Sequence, residues 1–184
     1  MRIFLDACVL FPSVTRGLLL GAAGAGYFTP LWSQKVLDEW QHAALRQSEA
    51  IGAQARTEIL LSAAHFPKAL CELPVRDDLE SVLPDPGDIH VLAAALEADA
   101  QAILTANLAD FPPSVLARFG LLRRAPDEFL LEFAKTHPSD FELTLKLCCQ
   151  TAGLHSGDRD DGAKLLKKAR LPRLAKWLRA RASD

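Results

Sequence analysis

The 184-residue chain lacks most marks of a secreted or membrane protein. Its four cysteines, Cys8, Cys71, Cys148 and Cys149, show no C-x-x-C spacing and no disulfide framework, so free thiols in a reducing compartment are expected. The run from Met1 to Leu5 is interrupted by Asp6 and does not read as a signal peptide. The charge-free stretch of 18 residues between Arg16 and Lys35 holds Gly17, Gly21, Gly24, Gly26 and Pro30, and turns polar at Thr29. It therefore reads against a membrane span, and a cytoplasmic protein is expected. Internal repeats and low-complexity segments are missing, as are an H-E-x-x-H motif and any His/Cys cluster with zinc spacing. A coat of positive charge is missing too: 21 Lys+Arg stand against 23 Asp+Glu, for a net charge of −2. A nucleic-acid partner would have to be met by a local patch or through a metal.

What is present is a globular composition, 49% hydrophobic, long enough for one domain with a small appendage. The near-neutral sum hides an asymmetry. From Gly162 to Ser183 there are eight basic residues and no acidic ones, which leaves about −10 on the rest. An acidic body carries a basic tail. Converging carboxylates repel one another unless a cation sits among them, so the placement of the acids is the informative question.

Hydrophobic periodicity predicts strands at Arg2–Leu5, Tyr27–Leu31, Leu70–Val75, Ala100–Thr105 and Gly120–Arg123. Between them lie helical patterns: one opened by Pro12, one capped by Ser33 with Val36, Leu37, Trp40 and Ala44 on a face, one over Ala53–His65 with apolar Ile59, Leu60 and Ala63, and one over Asp88–Ala98. Beyond Pro126 the chain is helical, over 127–135, 139–151, 162–169 and 172–182. Alternating strands and helices imply an α/β fold with a parallel sheet flanked by helices. Sites in such sheets form beyond the carboxyl ends of strands, where strand order reverses. Asp6 lies at such an end, as does the turn Thr105-Ala106-Asn107-Leu108-Ala109-Asp110.

Each acid has an ordinary structural explanation on its own. Asp6 could cap a loop, Glu39 could face solvent, Asp85 and Asp88 could cap a helix, and Asp110 could be a turn acid. Together they are harder to dismiss. Asp6, Glu39, Asp88 and the Asn107/Asp110 turn can all reach one sheet edge, and three or four oxygen ligands suit Mg²⁺ or Mn²⁺ rather than zinc. Asp85 is a spare acid nearby, ranked below Asp88. Thr105 and Ser33 are candidate hydroxyls at the edge of the site. His90, one turn into its helix, reads as a packed or hydrogen-bonded histidine.

Four blocks carry a resemblance: Leu5-Asp6-Ala7-Cys8-Val9-Leu10; Trp32-Ser33 with Val36, Leu37 and Glu39; Asp85 and Asp88 followed by His90 to Ala95; and Leu104-Thr105 with Asn107, Asp110, Phe111 and Pro112. In that order they resemble a PIN domain over about residues 2 to 136. The nearer resemblance is to VapC-like toxin ribonucleases with a helical C-terminal extension. It implies a three-layer PIN-like sheet of order 3-2-1-4-5, with a nuclease domain over 1–136 and a basic helical extension over 137–184. It also implies a metal-dependent endoribonuclease, the toxin of a type II toxin–antitoxin pair, leaving a 5′-phosphate and a 3′-hydroxyl. The family's acids fall on Asp6, Glu39 and Asp88. At the fourth position, where many members carry aspartate, this chain has Asn107, with Asp110 three residues on. The resemblance brings RNA as substrate, Mg²⁺ or Mn²⁺ as cofactor, an antitoxin partner and a possible homodimer, with no membrane association.

Two other roles stay open within that family: a housekeeping RNA-processing nuclease without an antitoxin, and a weakened domain that binds RNA or protein without cleaving. A Mg²⁺-dependent phosphatase forming an aspartyl-phosphate is disfavoured, since that chemistry wants an acid two residues after the nucleophile and this chain has Cys8 there. In the tail, Leu166, Leu174, Trp177 and Leu178 supply apolar faces for packing. Lys164, Lys167 and Lys168 are candidates for gripping RNA phosphates.

Overall fold

Ile3, Phe4 and Leu5 have no solvent-accessible surface, as expected of a strand covered on both faces, and they form most of β1 (Arg2–Leu5). The computed structural model describes residues 1–79, 81–153 and 159–181. Among these, five parallel strands make one sheet: β2 (Thr29–Ser33), β3 (Leu70–Cys71), β4 (Ala102–Leu104) and β5 (Leu122–Arg124) join β1 in the order β3-β2-β1-β4-β5. Phe4 pairs with Leu31 on one side and with Ile103 on the other. Each of these buried side chains contributes about 1.5–3 kcal/mol, which fixes the strand end where Asp6 emerges.

The strands agree in number and order with the sequence pattern, and differ in extent. β2 runs two residues later than expected, because Trp32 and Ser33 pair with Leu70 and Cys71 of β3. That pairing starts beyond Pro30, so the strand is unpaired on its β3 side where proline offers no N–H. The helices α3 (Gln34–Leu45), α4 (Glu49–His65) and α5 (Ile89–Glu97) are those expected. Ser48 caps α4 by accepting from the Ile51 amide at 3.2 Å, which starts that helix four residues before its apolar pattern. Ala55 is buried, but the larger apolar side chains are not core: Leu60 and Leu61 are about two-thirds exposed. Two short helices, α1 (Ala7–Leu10) and α6 (Pro113–Ala117), follow β1 and β4. A 3₁₀ turn over Pro86–Asp88 leads into α5.

Contacts cluster into two compact units. The first joins Met1–Phe11 to Phe28–Arg124 and holds the whole sheet. Within it α5, buried from His90 to Ala95, packs on β1, β2 and β4, and α3 packs on β2.

The second unit takes Pro12–Tyr27 together with the described residues from Ala125 onward. It holds α2 (Ser13–Gly24), α7 (Pro126–Thr136), α8 (Pro138–Thr151), α9 (Arg159–Lys168) and α10 (Pro172–Ala180). A β-carbon at Gly21 would sit 2.2 Å from Thr144 Cγ2, so a side chain there would push α2 from α8. Asp127 accepts from the Arg173 and Leu174 amides at 2.9 and 3.0 Å and so caps α10, while Arg173 also pairs with Glu128. Leu174, Ala175 and Leu178 are buried. The last helix was expected to reach residue 182, which lies outside the described residues. No helix among the described residues is long and apolar enough to cross a membrane.

Candidate metal centre and active site

Parallel pairing of β1 with β4 decides where the first acid goes. Leu5 lies opposite Leu104, and the Asp6 amide donates to the Leu104 carbonyl at 3.2 Å, so Asp6 and Thr105 leave the sheet side by side. This is the point where strand order reverses. Asp6 occupies the N-cap position of α1, yet its carboxylate does not cap. Instead Oδ2 accepts from the Thr105 hydroxyl at 2.6 Å and from the Cys8 thiol at 3.0 Å. Burial, reinforced by the Asp6 charge, pushes the Cys8 thiol up to about 12, so it keeps its proton for that bond. Thr105 is fully buried and also accepts from the Asn107 amide at 2.9 Å. Asp6 is thus a nearly buried carboxylate held by two side chains.

The other acids gather from the turn before α5 and the loop after β4. Asp85, Asp88 and Asp110 each offer a carboxylate oxygen, and these oxygens all lie within 4.8 Å of one another. Asp85 caps the 3₁₀ turn, accepting from the Gly87 amide at 2.8 Å. Asp88 stands at the N-cap of α5 and makes no side-chain cap bond. Of the two acids that could be explained as helix caps, only Asp85 acts as one. Asn107 sits between the remaining pair: its amide group donates to Asp110 and, at 3.5 Å, to Asp88. Burial, and then the charges of Asp6, Asp85 and Asp110, push Asp88 up to about 6. At an effective dielectric near 20, two charges about 4.8 Å apart repel by about 3 kcal/mol. The arrangement disfavours three full negative charges unless a cation joins them.

Glu39 projects from α3 and meets α5: its Oε1 lies 2.8 Å from His90 Nε2. Burial pulls His90 down to about 4, so at neutral pH the ring is uncharged and its Nε2–H donates to the carboxylate. His90 Nδ1 is buried and has no hydrogen-bond partner among the described residues. Burial, with Asp6 and Asp88, raises the Glu39 carboxyl above its ordinary range, against the opposing pull of Lys35.

The structure therefore brings Asp88, Asn107 and Asp110 together and adds Asp85. Asp6 and Glu39 lie close enough to perturb this group electrostatically, outside its 4.8 Å cluster. Ser33 is fully buried and its hydroxyl caps α3, accepting from the Val36 amide at 3.3 Å. Lys164, Lys167 and Lys168 are exposed on α9 in the second unit, and Lys164 pairs with Asp161 at 3.1 Å. His90 is the packed, hydrogen-bonded histidine expected, though its partner Glu39 was not foreseen, and neither was Cys8 as a support for Asp6. Their only signal is position, two residues after Asp88 and two after Asp6.

A doubly wound sheet with carboxylates crowded at its switch point defines the class: an α/β protein with an all-oxygen site suited to a hard divalent cation. The PIN domain profile matches residues 2–109, more than half of the chain, and the chain belongs to the PIN domain family. Members are generally nucleases and usually use a divalent metal. The matched segment includes Asp6, Glu39, Asp85, Asp88, Thr105 and Asn107, and ends one residue before Asp110. No curated protein and no solved structure gave a match.

Proposed function

We propose that this chain is a Mg²⁺- or Mn²⁺-dependent endoribonuclease, acting as the toxin of a type II toxin–antitoxin pair. The observation that carries the nuclease reading is the convergence of Asp85, Asp88 and Asp110 beside Asp6 at the sheet's switch point. The donor set fits a hard cation, since every candidate ligand is a carboxylate and Asp88 is raised by burial and then by its neighbours' charge. Asp6, Asp88 and Asp110, with Asp85, would hold it. When bound, such a cation supplies positive charge at the scissile phosphate and makes a water more acidic.

The rest of the chemistry belongs to the chain. Glu39 has Oε1 engaged by His90, which leaves Oε2 to orient the attacking water and take its proton. A carboxyl raised above its usual range is better matched to that task near neutral pH. Thr105 and Cys8 are positioning residues that fix Asp6. Asn107 steadies Asp88 and Asp110 without adding charge. In-line displacement by water would leave a 5′-phosphate and a 3′-hydroxyl. Lys164, Lys167 and Lys168 would contact RNA backbone phosphates. An antitoxin would insert a segment into the acidic groove, and the toxin role stands or falls with such a neutralising partner.

The experiment is cleavage of an end-labelled single-stranded RNA by the purified full-length protein, with Mg²⁺ and with EDTA, and with Asp6→Asn alongside. Metal-dependent products bearing 5′-phosphates, absent with the variant, support the reading. EDTA-resistant cleavage, or full activity of Asp6→Asn, overturns it. Asn107 favours one second reading, an RNA-binding domain without catalysis, because a neutral donor already links two of the carboxylates. RNA binding with no cleavage under any divalent cation would select that reading.

A further inference from the structure

The acidic cluster can orient a scissile phosphate, but it offers nothing to hold a base. A hollow beside it does. Glu39, His42, Ala43 and Arg46 fall at i, i+3, i+4 and i+7 of α3 and the residue that follows it, and so form one stripe along a single helix face. Opposite them α1 and the residue after it contribute Ala7, Cys8 and Phe11, and Trp40 completes the wall. The cavity measures about 370 Å³, within the usual range for small-molecule sites. Its lining is apolar at Ala7, Phe11, Trp40 and Ala43, with Phe11 partly exposed and Trp40 buried. Two of its residues also belong to the candidate active site: Cys8 bonds Asp6, and Glu39 bonds His90.

The charge along the stripe changes sign. Glu39 stands at the catalytic end, while Arg46, exposed at the other, makes no ion pair among the described residues. Seven helical residues separate the two by about 10 Å. A site that repels phosphate without a cation thus passes into an apolar hollow and then to a guanidinium that attracts phosphate. Duplex RNA buries its base faces, whereas single-stranded RNA presents bases that can stack on aromatic walls.

We propose that this hollow between α1 and α3 is a nucleobase subsite: it seats one unpaired base next to the scissile phosphate, and Arg46 contacts a neighbouring phosphate. The inference rests on the nuclease reading for the position of the scissile bond. Ala43, partly exposed in the wall, sets the room available to the base.

The test is binding of a fluorescein-labelled, unstructured RNA oligomer, read by anisotropy in Mg²⁺ on the Asp6→Asn background, with the same sequence annealed as duplex for comparison. Ala43→Phe fills the hollow and should weaken single-strand binding by about tenfold, within the range of one base stack. Arg46→Ala should weaken it several-fold and lower the salt slope by about 0.7, the value for one single-strand phosphate contact; Arg46→Lys should restore the slope. Duplex binding should respond to neither hollow-filling nor its reversal. Arg46 is at the surface, so its variant stays informative if Ala43→Phe fails to fold. Unchanged single-strand affinity and salt slope in both variants overturn the subsite, even if the wild-type protein cleaves RNA. Loss of binding in both, with a wild-type protein that cleaves nothing, supports the subsite and removes the nuclease reading instead.

Discussion

Replacing Asp88 by asparagine should stabilise the metal-free protein. Asp88 is pushed from the ordinary aspartate value of 3.8 to about 6, first by burial and then by Asp6, Asp85 and Asp110. A displacement of that size corresponds to about 3 kcal/mol. Asp88 is only partly buried, and solvent screening reduces this to about 1–2 kcal/mol. The folded state holds the proton more tightly than the unfolded state, so the penalty is absent below pH 3.8. It grows as pH rises through about 6 and is constant above that. The substituted side chain carries no charge and keeps an oxygen for the Asn107 amide. At about 2–4 °C per kcal/mol for a chain of this length, the gain in EDTA at pH 7.5 should be about 2–8 °C in Tm. At pH 5 it should fall to about half. Magnesium should reverse the ranking: saturation at about 100 times Kd adds about 2.7 kcal/mol to a protein that binds it, and Asp88→Asn should lose most of that. Thermal melts of both proteins, at pH 5 and 7.5 with EDTA or Mg²⁺, decide the matter. A variant less stable than wild type in EDTA at pH 7.5, or a gain equal at both pH values, would show that the Asp88 charge carries no such penalty.

Three further outcomes follow from the same geometry. Thr105→Val removes the 2.6 Å bond to Asp6 and should lower kcat or metal affinity by about 10–100-fold in an RNA cleavage assay; wild-type kinetics would deny Thr105 its positioning role. His90, held down to about 4, should show an unshifted ring resonance in NMR titrations from pH 8 to about 5. Its contribution to stability should be full above 6.5 and lost as pH falls through about 4, and a midpoint at or above 6.5 would contradict its burial. Changing Lys164, Lys167 and Lys168 to glutamine should weaken RNA binding and flatten its salt dependence, by about 0.7 in slope for each phosphate no longer neutralised; unchanged slopes would leave α9 a packing role alone.

The sheet was legible because its signal is repeated: short apolar runs at β1, β2 and β4 alternate with amphipathic helices, and an acid stands at the end of β1. The helices α1 and α6 were not, since four or five residues complete too little of a turn pattern to show a period. The start of α4 hung on the Ser48 cap, while its apolar residues, largely left to solvent, pointed elsewhere. Asp88 was legible as an acid that helix capping could also explain, and only geometry shows that Asp85 does the capping while Asp88 turns to the cluster. The pairing of Glu39 with His90 joins residues 51 positions apart on different helices, a contact that no local spacing encodes. Likewise α2 falls with the C-terminal helices by contact, held by Gly21 against Thr144, although it follows β1 in sequence.

The proposed nuclease activity requires the carboxylates at the switch point to hold a divalent cation. Its most direct test is the initial rate of single-stranded RNA cleavage as a function of Mn²⁺ concentration, for wild type and Asp88→Asn side by side. The wild-type rate should rise from zero in EDTA to saturation, with the variant at background throughout. A variant that matches wild type, or a wild-type rate indifferent to the cation, would contradict it.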